Sequence, residues 1–145
     1  RQKGIIDAYS ALPSKHNMNY WEFGDYIGIG AGAHGKITDV ASNEIMRTLK
    51  TKSPKDYLLS VKKNKQTSSI KAVENLSFEF MLNSLRLIDG FDPELYESRT
   101  GQPIELLSQQ LREAENLDLL DIKTHKIKPT QKGYSFLNDL QAIFL

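Results

Sequence analysis

The sequence predicts an α+β fold, with strands near the N-terminus and helices through most of the rest. Three observations carry this. Asp25 to Gly30 is an apolar, β-branched run punctuated by glycine, the composition of a strand. Phe78, Met81, Leu82, Leu85 and Ile88 recur at three- and four-residue spacing, the period of a helix with one buried face. The last third reads helix, helix, β-hairpin, helix, the order of a winged helix.

The elements follow in order. Gly4 to Tyr9 reads as a short strand and Ala11 to Ser14 as a breaker around Pro13. Asn17 to Phe23 reads as a turn of aromatic-rich helix. Ala31 to Gly35 is a tight loop. Lys36 to Val40 and Glu44 to Leu49 pair as a hairpin around residues 41–43. Beyond residue 50 the character changes. Ser53-Pro54 opens a helix with proline at its first position, followed by Tyr57, Leu58 and Val61 at helical spacing. Lys62 to Ser69 is polar and reads as a loop. Ser77 to Ile88 is the strongest helix, with Ser77 as N-cap, Gly90 as its end, and Phe78, Met81, Leu85 and Ile88 in the core. Pro93 to Arg99 is a short helix ending near Gly101. Pro103 to Asn116 is the next, with Ile104, Leu107, Leu111 and Ala114 on one face. Leu119 to Ile122 and Lys126 to Lys128 form the hairpin. Thr130 caps a final helix carrying Phe136, Leu137, Leu140 and Phe144.

The 145 residues suit one domain and a real core. No apolar run approaches the ~18 residues of a membrane span. No basic-then-apolar leader opens the chain, so a cytoplasmic protein is expected. The chain starts at Arg1 rather than Met, which suggests a fragment or a processed product. It has no cysteine, which excludes disulfides and thiolate ligation of iron–sulfur clusters or zinc by this segment. The net charge of +1 marks no partner, but Lys36 to Lys71 holds nine Lys/Arg against three Asp/Glu. That stretch is either an anion-facing surface or a solvated basic face, and it leaves room for peripheral membrane contact.

Two features invite chemistry. Gly28 to Ala33 matches the dinucleotide pattern G-x-G-x-x-G/A, and Gly30 to Lys36 matches most of a P-loop. Both patterns require a helix straight after the loop, so that phosphate meets free N–H groups. Here Ile37, Thr38 and Val40 read as strand, and Ile37 stands where a P-loop has Ser or Thr. What survives is a close backbone approach at a strand end, either a binding site or a packed turn. Of the three histidines, His16 lies beside Tyr20 and Trp21. Imidazole is a common haem-iron ligand and flat rings suit a porphyrin wall; a hydrogen-bonded structural histidine is the other reading. The histidine spacing offers no zinc pattern, and His125 falls in the presumed wing.

His16-Asn17-Met18-Asn19-Tyr20-Trp21, followed by Gly24 to Gly35, resembles the H-N-x-x-Y-W and G-D-Y-x-G-I-G-x-G-A-H-G blocks of the HemW family. These are radical S-adenosylmethionine proteins related to oxygen-independent coproporphyrinogen III oxidase. Phe78 to Leu87 is similar to the family's E-F-x-x-N-x-x-R-L helix, and Thr130 to Leu145 to its closing helix. The resemblance implies a C-terminal part. Residues 1–50 would supply the last strands of a partial β/α barrel, and residues 51–145 the family's helical, winged-helix-like C-terminal domain. An absent N-terminal barrel would hold the 4Fe–4S cluster and S-adenosylmethionine. His16 would ligate haem, with Tyr20 and Trp21 as ring wall and Ala31, Ala33 and His34 lining the cofactor cavity. His34 falls where the oxidases carry an apolar residue beside S-adenosylmethionine.

Three functions follow as expectations. The first is a haem carrier that passes haem to an acceptor protein. The second is a piece of a coproporphyrinogen III oxidase, the segment alone having no catalytic residue. The third, nucleic-acid binding by the wing, is disfavoured. Its recognition helix carries Glu105, Glu113 and Glu115 against Arg112, the wrong sign for neutralising phosphates.

Overall fold

A computed structural model describes residues 14–145, apart from residues 43 and 66 and the side chain of Ser68. The expected strand at Gly4 to Tyr9 and the break at Pro13 lie outside the described residues, as does part of the hairpin turn, at Asn43.

Helix α1 spans Lys15–Trp21, and the Ser14 hydroxyl accepts from the Asn17 N–H at its start. The chain leaves it through Phe23, whose φ of 56° is left-handed. That conformation costs a bulky residue roughly 1–2 kcal/mol. It places the ring, 1% exposed, edge-on to Phe80 at 5.7 Å, and full burial of such a ring contributes about 1.5–3 kcal/mol. Burial wins.

Strands β1 (His34–Asp39), β2 (Glu44–Lys50) and β3 (Thr67–Ala72) form an antiparallel sheet in that order. The expected hairpin is there, with Lys36 opposite Arg47 and Ile37 opposite Met46. Two expectations fail. Asp25 to Gly30, the best strand by composition, makes one isolated bridge, Tyr26 with Lys36. Gly28 lies flush on β1, where an added Cβ would run into the His34 carbonyl. Ile27 and Ile29 stand 76% and 86% exposed, so among the described residues these β-branched side chains are not packed into a sheet. Conversely, the first half of Thr67 to Ala72 falls in the stretch read as a loop, yet the whole strand pairs with β2 across a register shift at Leu49/Lys50. Thr67 and Ser69 suit an edge, where one side faces water.

Helix α2, Pro54–Val61, starts as expected on the Ser53 cap with proline in the first turn. Its Leu58 and Leu59 point outward, 64% and 51% exposed. Helix α3 is shorter than its apolar period suggests, Leu76–Ser84, and its N-cap is Asn75, which accepts from the Phe78 N–H. Ser77 lies inside the helix instead, hydrogen-bonded to the Tyr96 hydroxyl at 2.8 Å. The buried face is correspondingly rotated. Phe80, Met81 and Leu85 are closed off, Phe78 is half-buried, and Ile88 lies outside the core at 37% exposure. The chain turns after Leu85, so the periodicity that placed Ile88 inward no longer applies.

Helix α4, Pro93–Thr100, ends on Gly101 in the left-handed conformation, the usual helix stop. A 3-10 turn at Ile104–Leu107 leads into α5, Ser108–Asn116, with Leu107, Leu111 and Ala114 buried. The short hairpin β4 (Leu120–Asp121) and β5 (Lys128–Pro129) follows, and Ile127 bridges Phe91. The closing helix is two, α6 (Gln131–Ser135) and α7 (Leu137–Ala142), broken at Phe136, which is 53% exposed. Thr130 caps α6 as expected, accepting from the Gly133 N–H. Phe80 centres the core, edge-on to Phe91 and Tyr96 at 5.1 Å each. The protein is therefore α+β, helices with small antiparallel sheets.

Candidate functional site

Helix α1 presents two faces. Met18 and Trp21, three residues apart, pack against the core, and the Trp21 carbonyl accepts from the Ser84 hydroxyl at 2.8 Å. His16 and Tyr20, four residues apart, share a different side, as the helical period requires. Their rings meet edge-on at 4.7 Å. The structure thus joins His16 with Tyr20 but turns Trp21 away, because a residue five positions on lies about 140° around a helix from His16. His16 is exposed. Among the described residues its imidazole makes no hydrogen bond and no ion pair, so a ring nitrogen is open to an incoming ligand.

The ring stack continues. Tyr20 packs on Tyr26 at 4.3 Å, and the Tyr26 hydroxyl accepts from Arg47 on β2 at 2.6 Å. Arg47 in turn donates to the Glu79 carboxylate of α3 through Nε at 2.9 Å and also through Nη2. Burial pushes the Tyr26 phenol above its usual range, with the Arg47 charge working against it.

Beside this stack lies a second ion pair. Lys36, 2% exposed, extends its amine to Asp25 at 2.9 Å and over the Phe23 ring at 4.2 Å. Asp25 also accepts from the Thr38 N–H and hydroxyl. Burial would raise the Asp25 carboxyl, but the Lys36 and Thr38 hydrogen bonds outweigh it and hold it below its usual value. Burial lowers Lys36, against the pull of Asp25. Lys36 and Arg47 face each other across the strands, and each cation has its own carboxylate, which is what lets two positive charges share one half-buried sheet face.

The glycine loop is a turn held from both sides. Gly30 and Gly32 have φ of 106° and 70°. The Gly30 N–H donates to the Tyr57 hydroxyl at 3.2 Å, the Gly32 N–H to the Thr51 carbonyl, and the Lys50 N–H to the Ala33 carbonyl. A strand follows it, so it lacks the helix N-terminus that nucleotide loops use. Ala31 is exposed and Ala33 half-buried. His34 opens β1 opposite Leu49, exposed, and alternation puts it on the sheet face of Lys36. His125 is exposed. Among the described residues no group of three or more His, Asp or Glu gathers as a metal site, and no helix is long and apolar enough to cross a membrane.

Sequence reasoning passed over Tyr26, Arg47 and Glu79. Tyr26 and Glu79 stood in the quoted motifs; nothing in the sequence paired Arg47 with either.

Residues 73–136 match the HemN C-terminal domain. The chain is 35% identical to the heme chaperone HemW of Buchnera aphidicola subsp. Schizaphis graminum over 99% of its length, covering 38% of that protein. It is 37% identical to the heme chaperone HemW of Escherichia coli over 90% of its length, covering 34% of that protein. The chain thus spans under two fifths of the curated relatives it matches. In fold it resembles the E. coli coproporphyrinogen III oxidase HemN, a radical SAM enzyme, at TM-score 0.57 and 19% identity, over 83% of this chain and 28% of that one.

Proposed function

From a chain that is HemW-like over nearly its whole length and carries a HemN C-terminal domain, we propose that it is the C-terminal part of a haem chaperone and that His16 ligates the haem iron. The observation that carries this is the open, exposed His16 imidazole backed edge-on by Tyr20. Haem is the cargo. His16 would hold it through a ring nitrogen, and Tyr20 would pack beside the porphyrin plane. Trp21 serves by anchoring α1 to the core. Ala31, Ala33 and His34 would line the neighbouring cavity, where S-adenosylmethionine binds in a longer parent protein.

In that parent, residues 1–50 would close a partial β/α barrel through the exposed Ile27 and Ile29, and residues 51–145 would form the end domain. The order α4, α5, hairpin, α6 supports a winged-helix-like end used for packing. The chain has no cysteine, so the ligands of a 4Fe–4S cluster would come from the barrel, and haem would pass to an acceptor protein in the cytoplasm. The test is haem titration of the whole gene product that carries this sequence. Wild type is expected to give a shifted Soret band that His16→Ala loses; an unchanged band in the variant removes the assignment.

The likeness in fold to HemN supports a second reading, a piece of an oxygen-independent coproporphyrinogen III oxidase. The same protein preparation decides it. Decarboxylation of coproporphyrinogen III under anaerobic, reducing conditions with S-adenosylmethionine would favour the oxidase; haem binding without turnover favours the carrier.

A further inference from the structure

We propose that Arg47 and Glu79 are positioning residues for His16, acting through Tyr26 and Tyr20. This rests on the haem-ligand reading of His16 and extends it to β2 and α3. The links are continuous. Glu79 holds Arg47 through two nitrogens, Arg47 donates to the Tyr26 hydroxyl at 2.6 Å, Tyr26 packs on Tyr20 at 4.3 Å, and Tyr20 meets the His16 ring at 4.7 Å.

A side chain on a seven-residue surface helix is a poorly fixed ligand by itself, since exposed rotamers interconvert within nanoseconds. Tyr20 could restrain His16 only if Tyr20 is itself restrained, and the ring beneath it, Tyr26, is the one tied down. Its backbone pairs with Lys36 in both directions, at 2.9 and 3.0 Å, and its hydroxyl is fixed by the planar guanidinium. Arg47 is the fitting residue there, because its rigid fork can serve a carboxylate and a phenol at once, where lysine offers a point charge. Outer-shell partners that hydrogen-bond a metal-binding histidine orient it; here ring contacts would take that part. Glu79 lies within the residues matched by the HemN C-terminal domain and His16 outside them, so the relay ties the domain to the proposed ligand.

The test uses two readouts on the whole gene product. Without haem, NMR shifts of the His16 ring protons report whether the ring still lies against Tyr20. With haem, titration reports affinity. Arg47→Met is expected to move the His16 ring protons toward solvent-exposed values and to weaken haem binding by about tenfold. Arg47→Lys should restore part of both, and Tyr26→Phe, which keeps the ring and loses the hydroxyl, should fall between. Lys71→Met, at the cross-strand neighbour of Arg47, is the control for lost charge and should change neither. Should Arg47→Met fail to fold, the double replacement Arg47→Met with Glu79→Met leaves no orphaned carboxylate and carries the test. His16 shifts unmoved in the folded variant overturn the relay. Loss of the ligand reading is seen separately, as a Soret band indifferent to His16→Ala.

Discussion

The two halves of the molecule close themselves by different means. From Val73 onward the chain is held by an apolar interior in which Phe80, Met81, Leu85, Tyr96, Ala114 and Leu140 are fully buried. Before it, among the described residues, only Phe23 and Ile45 are buried apolar side chains, while Ile27, Ile29, Val40, Leu58, Leu59 and Ile70 stand more than half exposed. That half leans also on the Asp25–Lys36 pair, on the Arg47–Glu79 pair and on backbones pressed together at Gly28. A hydrophobic interior is indifferent to proton concentration; an ion pair is not. The first half is therefore where pH, charge and single-atom fit should matter, and the second where volume should.

The largest effect expected is Phe80→Ala, which empties the ring contacts with Phe23, Phe91 and Tyr96 and should cost about 3–5 kcal/mol in denaturant unfolding. A loss under about 1 kcal/mol would mean the second half does not depend on this centre. Next comes Asp25→Asn. Removing one partner of a buried pair costs roughly 3–5 kcal/mol, and the 46% exposure of the Asp25 side chain places it near 3 or below. The companion measurement is stability against pH. Asp25 titrates in the folded state below its ordinary 3.8, so its contribution is present above that value and drains away as pH falls through the folded one. Lys36 lies below its ordinary 10.5, so its burial subtracts stability while the amine must be charged, and the loss is relieved as pH rises toward 10.5. Asp25→Asn should flatten the acid limb. Gly28→Ala drives a methyl into the His34 carbonyl and should cost about 1–3 kcal/mol, read as a lower melting temperature. The smallest change is Ile29→Ser. At 86% exposure it should stay within about 0.5 kcal/mol and lessen self-association in sedimentation.

Much of the fold was legible in the sequence because its punctuation is local. Ser53-Pro54, Gly101 and Thr130 mark helix ends by their own chemistry, and the structure uses them there. Misreadings arose where tertiary context decided. Asn75 and Ser77 are both good caps, and only packing shows that the Ser77 hydroxyl is taken by Tyr96. Thr67 to Ser69 looks like the end of a loop until a partner strand defines it as the start of an edge strand. Asp25 to Gly30 has strand composition, but its glycines serve close approach to β1 rather than a ladder. In the candidate site, the sequence set His16 beside Tyr20 and Trp21 alike, and the helix that reaches back to Lys15 brings His16 to Tyr20. The orientation of Trp21 and the link from Arg47 to Glu79 needed three dimensions, since those partners are 32 residues apart in the chain.

Lys36 gives one practical handle. Its amine is shut away at 2% exposure, beneath an aromatic ring and against a carboxylate, while Lys55, Lys62, Lys63 and Lys65 stand open to solvent. An acylating reagent should modify those four within minutes and leave Lys36 untouched until the sheet opens. Mass spectrometry of one tryptic site would then time the opening of the first half without any engineered probe.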